Sequence, residues 1–358
     1  MNAFGVYLHI PFCASKCDYC AFATWTDRHH LIDAYLSAVG SEITHAVADD
    51  LPAATSVFVG GGTPTLVPAN SLAALIAAIP TSDGAEITVE CNPDDVTVEL
   101  LERYVDAGVN RVSIGVQSMS AHVLAGLGRT HDRANVERAV EAVGVAGLGS
   151  FNLDLIYGAA GESLDDWEHT VRGALDLEPP HVSAYGLTVE PGTVLAAEPE
   201  RHPDDDDQAD KYELADELLA VAGLANYEVS NWARPGHESR HNRLYWQQGD
   251  YRGFGCAAHS HRAGVRWWNV RTPDRYVELI RSGGDVVAAS ESLDEEARRA
   301  EGLQLMLRTR EGVPADAFST ETLRTLDGLV VAHPDRADHV VLTRSGRLMA
   351  NEVSVRLR

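Results

Sequence analysis

The sequence predicts an α/β protein: a partial (β/α)6, TIM-like barrel followed by a small C-terminal winged-helix-like domain. Three observations predict it. From residue 5 to about 190, short β-rich runs alternate with amphipathic helical stretches, the pattern of a parallel sheet with helices outside. Six such units follow one another. From Leu293 the pattern changes to two helices and a final β-rich run.

In order, the strands are expected at residues 6–10, 56–59, 86–90, 111–116, 151–156 and 181–187, each a short apolar run bounded by turn residues. The helices between them are expected at 31–47, 71–79, 98–107, 133–146 and 164–175, where apolar residues recur at helical spacing. Asp204-Asp205-Asp206-Asp207 reads as a solvated loop ahead of a helix at 208–221, and Tyr227-Glu228-Val229-Ser230 as a strand. A loop rich in His, Trp and Gly follows. Helices at 295–307 and 321–326 lead to a hairpin over 339–348 that turns near Ser345-Gly346. The implied divisions are 1–230 for the barrel, 231–290 for a region closing it, and 291–358 for the C-terminal domain.

Composition narrows the function. The chain has 358 residues, 45% of them hydrophobic, enough for a large core. It has no apolar run long enough to span a bilayer and no charged-then-apolar leader. Five cysteines are compatible with a reducing cytoplasm, so a cytoplasmic location is expected. A net charge of −24 argues against nucleic acid as partner, because phosphate binding needs a basic face.

Cys13, Cys17 and Cys20 form a C-x3-C-x2-C loop directly after the first strand. In α/β barrels, chemistry sits at the C-terminal ends of the strands. Thiolates suit iron–sulfur clusters, and three on one loop can hold three irons of a [4Fe–4S] cube. The fourth iron is then open, the arrangement of radical S-adenosylmethionine (SAM) proteins. Structural zinc usually takes four ligands, often as paired C-x2-C units. His9 lies in the strand and not the loop. Cys91 and Cys256 read as buried structural thiols.

Gly60-Gly61-Gly62-Thr63-Pro64-Thr65 follows the second strand and lets backbone approach a ligand closely. No lysine follows, so it is not a phosphate loop. Glu90, Gln117 and Asp154 fall at or in later strands. A carboxylate in so apolar a strand needs a partner or a cavity, and Arg129 is the available cation. Finally, His241-Asn242-Arg243-Leu244-Tyr245-Trp246 places His241 and Tyr245 on one face if helical. Spacing alone favours a folded aromatic loop closing the barrel mouth, with His241 hydrogen-bonded, over a haem contact, and His237, His259 and His261 are rivals for any ligand role.

With these residues in view, the chain resembles the oxygen-independent coproporphyrinogen III oxidase family of radical SAM proteins over nearly its full length. Tyr7–Cys13, the cysteine trio, Gly60–Thr65, Ser113–Gln117 and Asp154–Gly158 carry the likeness. Within that family it is similar to the haem chaperones. The oxidases continue their cluster motif as C-x-C, whereas Ala21-Phe22 follows Cys20 here. The chaperones carry H-N-x-x-Y-W, matched by His241–Trp246.

The resemblance implies that Cys13, Cys17 and Cys20 hold the cluster, and that Tyr7, Tyr19, Gly62, Thr63 and Glu90 lie around it and its SAM. Gln117, Arg129 and Asp154 match residues holding a second SAM in the oxidases. His241, Tyr245 and Trp246 become the haem contact. It also implies haem transfer to acceptor haemoproteins, membrane-bound respiratory proteins among them, and is compatible with a homodimer. The alternative is a radical SAM enzyme generating a 5′-deoxyadenosyl radical.

Overall fold

The computed structural model describes residues 3–358. Six parallel strands build the centre: β1 (Phe4–Ile10), β2 (Ala54–Gly61), β3 (Thr81–Cys91), β4 (Arg111–Gln117), β5 (Ser150–Tyr157) and β6 (His181–Gly186). Their outward faces are apolar because helices cover them, whereas their inward faces carry polar residues such as Glu90, Ser113, Asn152 and Asp154. Val6, Leu8, Val57, Val59, Val89, Val112, Ile114, Leu153 and Val182 are all buried in one continuous core. Helices fall where periodicity predicts them, at Ile32–Ala48, Ala69–Ala77, Val98–Asp106, Arg133–Val145 and Leu164–Leu175.

The sheet continues beyond this barrel at both edges. β7 (Ala225–Glu228) and β8 (Asn231–Ala233) extend it past β6 in antiparallel fashion. On the other side β9 (Asp250–Phe254) runs parallel to β1. After it come β10 (His259–Arg262), β11 (Val265–Asn269) and β12 (Val287–Ser292) as an antiparallel meander. The segment expected as a His/Trp/Gly-rich loop is thus largely sheet. Glu42, on the first helix, pins this edge. Its carboxylate accepts hydrogen bonds from Gly255 N (3.0 Å), Asn269 Nδ2 (3.2 Å), Tyr276 OH (2.5 Å) and Arg252 Nη2 (3.1 Å).

The C-terminal unit has its own core around Leu307, Val313, Phe318, Leu326 and Val353. Helices Glu295–Met306 and Thr320–Thr325 accompany a three-stranded sheet of β13 (Val313–Pro314), β14 (Val330–Ala332) and β15 (His339–Leu342). Its hairpin differs from expectation. β15 pairs backward with β14, and Arg344–Leu348 is a helix. Thr343 caps that helix by accepting from Gly346 N (3.0 Å), which makes Ser345-Gly346 its first turn and no reversal of strands. Residue 346 also lies against the Leu329 carbonyl with no room for a Cβ.

Two other expectations are corrected. Asp204 is an N-cap and Asp205–Asp207 form the first turn of helix Asp205–Val221, where carboxylates complement the positive helix end. The strand expected through Ser230 ends at Glu228, and a turn at 229–230 leads into β8.

Candidate functional site

The cysteine loop and the glycine loop are hydrogen-bonded to each other. Gly62 N donates to Ile10 O (2.7 Å) and Thr63 N to Phe12 O (2.8 Å). A Cβ at 62 would sit 2.6 Å from Phe12 O, 2.9 Å from Ile10 O and 3.0 Å from Cys13 Sγ, so only glycine admits this approach. Trp25 closes the loop, donating from N to Pro11 O (2.7 Å) and accepting from Cys13 N (3.2 Å). Burial raises the Cys13 and Cys20 thiols above their usual range, which favours the neutral thiol at those two positions.

Cys13, Cys17 and Cys20 open onto a cavity of about 690 Å³ at the C-terminal ends of the strands. Tyr19, Gly62, Thr63, Glu90, Gln117, Arg129 and Asp154 line the same cavity. Among the described residues, no three His, Cys, Asp or Glu side chains converge as they would on one metal ion. The thiols border a space instead of a point.

Burial raises the pKa of both carboxylates there. Glu90 accepts from Gly61 N (3.1 Å), and burial, then the nearby Asp154 charge, push it up to about 7. Asp154 is raised by burial and accepts from Ser113 Oγ (2.7 Å) and Asn152 Nδ2 (2.7 Å). Arg129 is not its partner, contrary to expectation. That guanidinium donates to Asn92 Oδ1 (2.6 Å) and Gly115 O (3.1 Å) and lies 3.8 Å from Cys17 Sγ. The cavity therefore offers two carboxylates, Asp154 with Arg111 nearby and neither bonded to Arg129, a setting suited to a cationic ligand.

This has a pH signature. Unfolded, Glu90 ionises near 4.5; folded, near 7. Between those values the folded state binds more protons, so stability falls as pH rises through that window. Glu90→Gln keeps an oxygen for Gly61 N–H and removes the titration. In ligand-free protein it should match the parent at pH 4 and exceed it by about 1–3 kcal/mol at pH 8, water in the cavity moderating the larger figure. Thermal unfolding across pH checks this.

Tyr7 and His9 point inward together, two residues apart on β1. Tyr7 OH donates to His9 Nδ1 (2.9 Å), and His9 Nε2 donates to Ala23 O (2.9 Å). Burial lowers His9 to about 4, so it stays neutral at physiological pH. Both residues border a second, larger cavity of about 880 Å³, which shares Ala21, Phe22, Gly61 and Glu90 with the first. Tyr7 thus stands between the two cavities and off the wall of the cysteine cavity. Sequence reasoning passed over His9 as a site residue, although the period of two from Tyr7 places it on the same face.

The His241 segment is helical, Arg240–Trp246, and capped by Ser239. Glu86 on β3 accepts from His241 N (3.2 Å) and Arg240 N (3.1 Å). The His241 ring is buried and stacks on Phe58 at 5.5 Å. Both its nitrogens are engaged, Nδ1 with Ser56 Oγ (3.0 Å) and Nε2 with Tyr245 OH (2.8 Å). Burial drops it to about 3. The shared helical face with Tyr245 is as expected, but the ring offers no free nitrogen in this arrangement. Tyr245 separates it from the larger cavity, whose wall Tyr245 joins. Trp246 lines neither large cavity.

Sequence reasoning also missed Asn92, Tyr185, Trp268, Arg266 and Arg271, all of which face one of the two cavities. For Arg266 and Trp268 the signal was alternation along Val265–Asn269, obscured by the mixed polarity of that run.

Residues 7–174 match the family model of the radical SAM superfamily. The structure superposes on coproporphyrinogen III oxidase (HemN) of Escherichia coli, a radical SAM enzyme, with a TM-score of 0.84 at 22% identity, covering 99% of this chain and 89% of that one. That likeness concerns the fold. The haem chaperone HemW of Mycobacterium tuberculosis (strain H37Rv) is 41% identical over 98% of this chain and 93% of its own length. Its namesake in Bacillus subtilis is 35% identical over 98% and 97%. Membership of the superfamily implies a [4Fe–4S] cluster and SAM. With full-length relatives at this level of identity, the chain belongs to the HemW haem-chaperone family of radical SAM proteins.

Proposed function

We propose that this protein binds haem and passes it to acceptor haemoproteins, on a scaffold that holds a [4Fe–4S] cluster and SAM. The observation that carries the reading is the 880 Å³ cavity beside the cysteine loop. Its size lies within the roughly 300–1,000 Å³ usual for small-molecule sites. Phe22, Tyr245, Tyr251 and Trp268 give it flat apolar walls, and Arg266 and Arg271 give it cations. Haem has a flat apolar macrocycle and two propionate carboxylates to match. Phe22 is 65% exposed, a large apolar side chain standing at the entrance.

The residues of the smaller cavity suit the cluster and SAM. Cys13, Cys17 and Cys20 supply three thiolates from one loop, and Cys91, which borders the same cavity, gives its thiol to Val89 O (3.6 Å), which leaves an iron for SAM. Glu90 and Asp154 offer carboxylates to a cation, and Gly62 and Thr63 bring backbone close. Gln117 and Arg129, with Asp154, border the place of a second SAM. When bound, a reduced cluster supplies one electron to SAM. Respiratory haemoproteins at the membrane are the acceptor class this reading favours. No described helix is long and apolar enough to cross a membrane, so such acceptors would be met through protein contacts.

Haem titration followed by absorbance tests the reading, with transfer to an apo-haemoprotein as second readout. Cys17→Ser should lose the brown cluster absorption on anaerobic iron–sulfide reconstitution and keep the Soret shift. Absence of that shift in the unaltered chain overturns the chaperone reading. Decarboxylated coproporphyrinogen under anaerobic reduction would establish the enzyme instead.

A further inference from the structure

We infer that His259 is the residue that ligates the haem iron, and that His241 is a positioning residue behind Tyr245. The inference rests on the haem-binding reading and deepens it. Four imidazoles stand at the larger cavity or on the helix beside it, and three are committed. His9 and His241 have both ring nitrogens hydrogen-bonded. So has His261, through Nδ1 to Gly249 O (2.9 Å) and Nε2 from Gly264 N (3.1 Å). His237 holds Ser150 Oγ at 2.9 Å and does not face the cavity.

His259 differs in each respect. It is exposed, it lines the 880 Å³ cavity, and its ring makes no hydrogen bond with another described residue. An iron ligand needs a neutral imidazole with an accessible lone pair. Partial desolvation of the ring and then the Arg266 charge lower its pKa, against the Glu291 carboxylate, and so favour that form.

The ring is also held in place. His259 lies directly opposite Trp268 in the antiparallel β10–β11 pair. The two rings stack at 5.6 Å with 24° between planes. Directly opposed residues on one sheet face are the closest cross-strand neighbours, so this stack fixes the imidazole without using its nitrogens. A preorganised ligand loses little freedom on binding. Arg271, exposed on the same wall, is placed for a haem propionate, whereas Arg266 is already paired with Glu291 (2.8 Å) and Glu301 (2.5 Å).

The experiment is haem titration of the full chain and of His259→Ala, read by absorbance and by the resonance Raman or EPR signature of an imidazole-ligated iron. The unaltered protein should show that signature. His259→Ala should lose it and bind haem at least about tenfold more weakly, and free imidazole should restore the signature. Its side chain is exposed, so the variant should keep the parent circular dichroism and cluster absorption, which separates ligand loss from misfolding. Retention of the imidazole signature by His259→Ala overturns the inference alone. Failure of the unaltered chain to bind haem overturns the haem reading and this inference with it.

Discussion

Lys211→Met should destabilise the protein by about 3–5 kcal/mol, the usual cost of leaving one member of a buried ion pair alone. Lys211 and Glu162 have fully buried side chains, 3.3 Å apart between Nζ and Oε2. Nζ also donates to Glu162 O (2.8 Å) and to Asp207 Oδ2 (2.6 Å). Glu162 in turn accepts from Gly158 N (2.7 Å). The pair therefore ties the loop leaving β5 to the helix Asp205–Val221. Without the ammonium, Glu162 keeps a carboxylate in an apolar site where burial already raises its pKa. It would be driven towards the neutral acid. The double variant Lys211→Met, Glu162→Gln should recover most of the loss, because no unpaired charge remains. Urea unfolding of the two singles and the double measures the coupling. Equal losses in Lys211→Met and the double would show that packing of the stem, and not charge, is what the lysine contributes.

That network marks a boundary of what the sequence makes legible. The six barrel strands and their helices follow from local periodicity, which is a property of neighbours in the chain. The cysteine loop, the glycine turn and the strand-end polar residues were legible for the same reason, since a βα unit delivers each to the same end of the sheet. Partners distant in sequence were not. Asp207 reads as one of four solvated aspartates, yet it reaches a lysine with no exposed surface. Arg129 reads as the counter-ion of Asp154, yet Asn92 and a backbone carbonyl hold it elsewhere. β9 to β12 were hidden because their short strands mix Gly, His and Trp with charges, and the Glu42 carboxylate that anchors β9 and β11 lies more than 200 positions away in the chain. The role of the His241 segment depends on the same kind of long-range contact, through Ser56, Phe58 and Glu86 on two neighbouring strands.

Gly61→Ala should cost about 3–4 kcal/mol and disturb both cavities at once. Gly61 ends β2 with φ of +110°, a conformation that an L-residue adopts only with strain of about 1–3 kcal/mol. A Cβ there would also overlap the His9 ring. That ring cannot simply turn away, because Tyr7 OH and Ala23 O hold its two nitrogens. Displacing it breaks hydrogen bonds worth about 0.5–1.5 kcal/mol each. The Ala23 contact is the link between β1 and the far end of the cysteine loop, so the displacement would loosen the segment carrying Cys20 and Phe22. Gly61 N is also the backbone donor to Glu90, and its loss would raise that carboxyl further. Gly61→Ala should therefore lower the denaturation midpoint and reduce the yield of reconstituted cluster together. Gly84→Ala is the control: it has positive φ and open space around it, so it carries strain alone. If Gly61→Ala loses no more stability than Gly84→Ala and reconstitutes fully, His9 is free to move. The hydrogen-bonded chain from Tyr7 to Ala23 would then not be what holds the cysteine loop in place.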